Sequence, residues 1–126
     1  MCLETIEPKL FTSNRGFGWK YFCDIHKDSV FTGYCNYELR RGKWNRDVNA
    51  GVLSITYNHQ VRYPAGFHVY LEKPMTYNSH DLRRVAFRGR LAVGRQESDR
   101  IPTIVAREIY VPKVGERLTA KIFKKL

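Results

Sequence analysis

Residues 83–95, Arg83-Arg84-Val85-Ala86-Phe87-Arg88-Gly89-Arg90-Leu91-Ala92-Val93-Gly94-Arg95, carry five arginines and no acid while alternating with the period of a strand. Successive side chains of a strand point to opposite faces. If Val85, Phe87, Leu91 and Val93 face a core, Ala86, Arg88, Arg90 and Ala92 face away from it. The run demands a sheet and sets two guanidinium groups among small neighbours. Arginine grips phosphate or carboxylate with a planar, permanently charged fork, so Arg88 and Arg90, with Arg95 further along, are candidate phosphate ligands. The alternative is a solvated basic face on an edge strand, where charge discourages sheet-to-sheet association.

The rest of the chain reads in the same idiom. Runs rich in aromatic and β-branched residues predict strands over 19–25, 30–40, 52–58, 61–63, 67–72, 85–96 and 103–111. Between them lie Arg41-Gly42, Asn49-Ala50-Gly51, Asn58-His59, Pro64-Ala65-Gly66 and Glu97-Ser98-Asp99, which read as turns. Residues 1–12 form an arm. A short helix is expected between Pro74 and Arg84, capped by Thr76 or Asn78. A second, amphipathic one is expected over 116–126, where Leu118, Ile122, Phe123 and Leu126 make an apolar stripe suited to docking on a sheet. The expectation is one α+β domain over 1–126, mainly a strongly bent antiparallel β-sheet with two short helices.

Charge narrows the partners. The chain of 126 residues has a net charge of +10, and it is uneven. Residues 1–61 hold 8 Lys+Arg against 6 Asp+Glu, and residues 62–126 hold 14 against 6. The field of the second half favours polyanions: nucleotides, nucleic acid or an acidic surface. The first apolar run is broken by Glu4, Glu7, Pro8 and Lys9, and no stretch reaches membrane-spanning length, so no membrane partner and a cytoplasmic location are expected. Cys2, Cys23 and Cys35 form an odd set without a CxxC pair, which fits a reducing compartment. Cys23-Asp24-Ile25-His26 with Cys35 is a weak zinc pattern. If His26-Lys27-Asp28-Ser29 is a hairpin turn, paired residues sum to 55, which puts Cys23 and Cys35 on opposite faces. No metal or other cofactor is expected.

Further candidates surround a ligand rather than a reaction. In Phe67-His68-Val69-Tyr70-Leu71, Phe67, Val69 and Leu71 share one face and His68 and Tyr70 the other. Beside the arginine strand, Tyr70 can stack on a base and His68 can donate a hydrogen bond; both can equally satisfy backbone groups within the sheet. Trp44, within Arg41-Gly42-Lys43-Trp44-Asn45-Arg46, either stacks on a ligand or anchors its loop, and Trp19, amid Phe17, Tyr21 and Phe22, reads as core. Two histidines, His68 and His59 being the pair to test, can cleave a phosphodiester without metal by general acid and base catalysis. Cys2 becomes an N-terminal nucleophile if Met1 is removed. P-loop, dinucleotide, HExxH and GxSxG signatures are lacking.

Met1-Cys2-Leu3, Gly18-Trp19-Lys20, Gly42-Lys43-Trp44, Gly66-Phe67-His68-Val69-Tyr70 and Ala106-Arg107-Glu108-Ile109 together resemble small proteins of phages and prophages. Their order is loosely similar to that of phage anti-Thoeris sponges, compact α+β proteins that sequester cyclic nucleotide signals of bacterial immune systems. The resemblance implies a counter-defence protein that binds a small phosphorylated ligand. It implies no particular set of binding residues. Two other readings stay open: a phosphodiesterase or nuclease that cleaves such a ligand, and a protein that binds nucleic acid or blocks a host nucleic-acid-binding complex. The arm and the C-terminal segment offer surfaces for a homo-oligomer.

Overall fold

The computed structural model describes residues 3–32, 37–55, 62–75, 82–96 and 100–125. Its strands are β1 (Thr5–Ile6), β2 (Arg15–Tyr21), β3 (Asp24–Ile25), β4 (Ser29–Thr32), β5 (Tyr37–Arg40), β6 (Trp44–Arg46), β7 (Leu53–Ile55), β8 (Arg62–Pro64), β9 (Phe67–Tyr70), β10 (Leu82–Arg95) and β11 (Pro102–Tyr110). The paired strands run antiparallel. The arginine-rich run is indeed a strand, β10, long enough to serve two neighbours. It pairs with β2 over Leu82–Arg88 and with β11 over Ala86–Arg95. In turn β11 pairs with β9, and β9 meets β2 at Trp19↔Tyr70, so four strands close into a ring. A ring has no free edge, and β1 and β6 extend it at β10 and β11.

The interior of the ring is apolar. Val85, Phe87 and Val93 of β10 join Phe67, Val69, Ile104 and Ile109 in the main core, with Phe22, Val30 and Leu39 reaching in from β3–β5 and its approach. A strict alternation does not hold along β10. A bulge between Arg90 and Ala92 inserts one residue and resets the phase, so Leu91 and Ala92 pack with Leu3, Tyr63 and Val105 instead of joining Val93. Ala86 is also buried, beneath Trp44, Tyr110 and Ile122. Both faces of this strand therefore carry core, which a single-face reading of its sequence misses.

Several expectations change. The described residues are mainly antiparallel β-sheet, so the protein is mainly β, and two short helices are not confirmed among the described residues. The C-terminal segment makes a 3-10 turn at Ala120–Lys124, and Pro8–Leu10 makes another. Ile122, Phe123 and Leu118 nevertheless dock on the sheet as the apolar stripe requires. Of the expected helix between Pro74 and Arg84, residues 76–81 lie outside the described residues, and Leu82–Arg84 belong to β10. Trp44–Arg46, read as a loop, is β6, and the arm contains β1. The hairpin register at residues 24–31 sums to 55, as the turn required: Asp24↔Phe31 and Ile25↔Val30. Among the described residues no helix is long and apolar enough to cross a membrane.

Candidate functional site: a buried lysine at the mouth of the ring

The inward face of β2 reads Gly16, Gly18, Lys20, because residues two apart on a strand share a face. The first two lack side chains for a steric reason: a Cβ on Gly16 would press on the Phe11 and Phe87 rings, and one on Gly18 would run into the Tyr70 carbonyl and the Val69 side chain. Lys20 follows where the interior opens, and only 9% of it is exposed. Its Nζ donates one hydrogen bond, 2.9 Å long, to the backbone carbonyl oxygen of His68. An ammonium has three protons to give, so two remain unspent, and among the described residues no carboxylate lies within ion-pair distance. Burial holds the Lys20 pKa down at about 8, and the more distant charge of Asp47 opposes that fall.

Lys20 lines a cleft of about 450 Å³ bounded by Tyr21, Thr32, Tyr37, Asp47, Asn49 and the Gly66–His68 backbone turn into β9. The cleft gathers a cation, a carboxylate on Asp47, two phenol-bearing rings, a hydroxyl and an amide. In such a set Lys20 can meet an anionic group and the rings a flat or cyclic body, while Asp47 offsets part of the charge. Cys23 also lines it and is disulfide-bonded. Its Sγ lies 3.5 Å from the Phe31 carbonyl oxygen, but an oxidised sulfur has no proton to donate there. The odd cysteine set by itself fits a reducing compartment better than a disulfide framework, and the Cys23 disulfide departs from that expectation. Of the weak zinc pattern, His26 pairs with Asp24 at 2.9 Å, and Cys35 lies outside the described residues.

The residues proposed from sequence are not drawn together around a ligand. Arg88 is paired with Glu108 through Nε and Nη2 at 3.1 and 3.2 Å, and its guanidinium stacks 4.1 Å above the Trp44 ring. Arg90 donates to the Phe11 carbonyl, and Arg95 pairs with Glu7 at 3.3 Å and donates to the Arg100 carbonyl. Arg95 borders a second cleft of about 490 Å³, but Glu4 and Glu7 share that wall and offset its charge. Trp44 is the loop anchor, buried, with Nε1 donating to the Ile122 carbonyl at 3.0 Å. Tyr70 is buried with its hydroxyl on Gln96. The shared floor of Arg88 and Arg90 is absent because each guanidinium already has a protein acceptor.

His68 does face away from Phe67 and Val69, as its alternation requires, but what it meets is Tyr63. The Tyr63 hydroxyl accepts from the Leu3 amide at 2.9 Å and is hydrogen-bonded to His68 Nε2 at 3.0 Å, the imidazole tautomer setting which of the two donates. Burial first, then the neighbouring Lys20 charge, push the His68 pKa down to about 3. His59 and Cys2 lie outside the described residues. Among the described residues no three metal-ligating side chains converge. Trp19 is the opposite surprise: it is half-buried on the outer face of the ring, not in its core.

Arg88 therefore reads as a structural arginine, and Arg88→Gln tests this. The change leaves Glu108 unpaired and Trp44 uncovered, at a cost of about 1–2 kcal/mol, so the melting temperature falls by roughly 5 °C. Affinity for phosphorylated ligands stays unchanged. An unchanged melting temperature with lost affinity would return Arg88 to the ligand.

The fold and the cleft define a small, closed-sheet β-protein with a buried cation at the mouth of its ring. No protein-family model, curated protein or solved structure matches the chain.

Proposed function

We propose that this protein binds a small phosphorylated ligand in the Lys20 cleft and holds it without converting it. The observation that carries the reading is the Lys20 ammonium, nine-tenths buried with one hydrogen bond made. A buried cation is costly unless paired, and an anion seated in the cleft would supply the missing partner. Tyr21 and Tyr37 offer ring surface to a base or ribose, and Asn49 and Thr32 offer polar groups to its edges. The specific form of the ligand, a cyclic nucleotide of immune signalling, and a counter-defence role come from the sequence resemblance. That role requires the cytoplasm, where a disulfide such as that of Cys23 is not normally maintained. Ligand binding does not depend on the compartment.

The phosphodiesterase reading asks His68 to exchange protons with a ligand. Its Nε2 is instead engaged by Tyr63, and its depressed pKa suits neither an acid nor a base near neutral pH. Sequestration fits these groups better. The test is a thermal-shift panel of cyclic dinucleotides, cyclic oligonucleotides and cyclic ADP-ribose isomers, with the mass of each recovered ligand measured afterwards. At a hundredfold excess over the dissociation constant, binding adds about 2.7 kcal/mol, a rise of several degrees. The expected result is such a rise with the ligand recovered intact, absent in Lys20→Met. A changed mass would replace sequestration by cleavage. No shift across the panel, or the same shift in Lys20→Met, would remove the proposal.

A further inference from the structure

Before β2 reaches the cleft at Tyr21, its outward face reads Arg15, Phe17, Trp19, the complement of Gly16 and Gly18. Antiparallel pairing sets Arg84 of β10 opposite Trp19 and Ala86 opposite Phe17. The Arg84 guanidinium stands 5.5 Å from the centre of the Trp19 ring and 5.6 Å from that of Phe17, and Lys73 approaches Trp19 at 5.2 Å. At the far end Arg15 lies 4.9 Å over Phe123, which itself abuts Phe17 at 5.3 Å. Cations and rings thus alternate along one strand.

These cations differ from Arg88 and Arg95 in what answers them. Arg15, Lys73 and Arg84 meet aromatic rings, and among the described residues no carboxylate pairs with any of them. Arg15 and Arg84 are exposed, as is Lys73, while Trp19 is half-buried. Charge without an acid partner, set beside rings that have a π-face to give, complements a chain of phosphates and unstacked bases. A peptide of acidic residues would satisfy the charges and leave the rings unused. A duplex would hide its bases from them.

We infer that this outer face docks single-stranded nucleic acid, with Arg84, Arg15 and Lys73 tracking the backbone and Trp19 taking a base. The surface lies on the opposite face of β2 from Lys20, so it is a second site, independent of the cleft.

The probe is a fluorescently labelled 15-residue oligothymidylate, followed by anisotropy between 50 and 200 mM salt. Affinity should fall as salt rises, because bound phosphates release counterions. Arg84→Glu should weaken binding about tenfold or more and flatten the salt dependence, since a phosphate contact is lost. Trp19→Leu should weaken it by about tenfold while leaving the salt slope in place, because stacking is not ionic. Lys73→Glu, at an exposed position, supplies a second charge variant if Arg84→Glu does not fold. Absent binding overturns the inference. So does equal binding of a duplex of the same length, or of anionic vesicles in its place. Wild-type affinity in folded Trp19→Leu would reduce the surface to a general polyanion patch and overturn it too.

Discussion

Replacing Lys20 by methionine is expected to raise the melting temperature by about 5 °C, while removing the ligand-dependent shift. The pKa of Lys20 is lowered from 10.5 to about 8 by burial. A depression of that size means that the charged lysine destabilises the fold by about 3 kcal/mol at neutral pH. Methionine fills similar volume without charge. It forfeits the bond to the His68 carbonyl, which offsets about 1 kcal/mol of the gain and leaves about 2 kcal/mol. The pH dependence gives the sign. The folded pKa lies below the unfolded one, so the unfolded chain binds the proton more readily, and stability present above pH 10.5 is lost as pH falls to about 8. The advantage of the variant should therefore be constant below pH 8, shrink between 8 and 10.5 and reverse above, where only the lost bond to the His68 carbonyl is left. Melts of both proteins at pH 7 and pH 10.5 decide it, and equal stability at pH 7 would contradict the role given to burial.

Gly18→Ala is expected to do the reverse, lowering the melting temperature by roughly 10 °C and removing the ligand-dependent shift as well. The ring closes between β2 and β9 at the Trp19↔Tyr70 pair, next to Gly18. A Cβ there would strike the Tyr70 backbone carbonyl and the Val69 side chain. Backbone cannot rotate aside as a long side chain can, so the strands must part, and overpacking of this kind costs about 3 kcal/mol. Lys20 hangs from the same seam through the His68 carbonyl, two residues before Tyr70. Hydrogen exchange at the β2 and β9 amides, compared with that at β10–β11, locates the effect. Faster exchange confined to the seam is expected; unaltered protection and stability would show that the seam tolerates a methyl group.

The two variants separate the meaning of a lost ligand. Lys20→Met loses binding while gaining stability, whereas Gly18→Ala loses both, because one removes the partner of the anion and the other removes the frame that holds it.

Much of the β framework was legible. The alternation in 83–95, the aromatic and β-branched runs and the turn chemistry are local properties, and they marked β7–β11 within a few residues, whereas the run 30–40, read as one strand, holds the antiparallel pair β4 and β5, and the run 19–25 holds the end of β2 and β3. β1 and β6 were missed because two or three residues are too few to show a period. The expected C-terminal helix had its apolar stripe right and its length wrong: contacts of Ile122 and Phe123 with Trp44 and Phe17 order the segment without a long helix. The site was less legible. The arginines stood out by number, yet Glu108, Glu7 and the Phe11 carbonyl, each distant in sequence, take up their charge. Lys20 was overlooked, although the pattern Gly16-x-Gly18-x-Lys20 carried a signal: an ammonium in phase with two glycines that leave room for a core.

What the sequence determined alone was periodicity, turn positions and the concentration of positive charge in the second half, since these depend on neighbours within a few residues. Only the tertiary structure decided which cations are spent and which are free. A salt bridge or a buried ammonium is a relation between strands. Closure of β10, β2, β9 and β11 into a ring turned Arg88 into a cover for Trp44, put Lys20 at the mouth and left Trp19 outside.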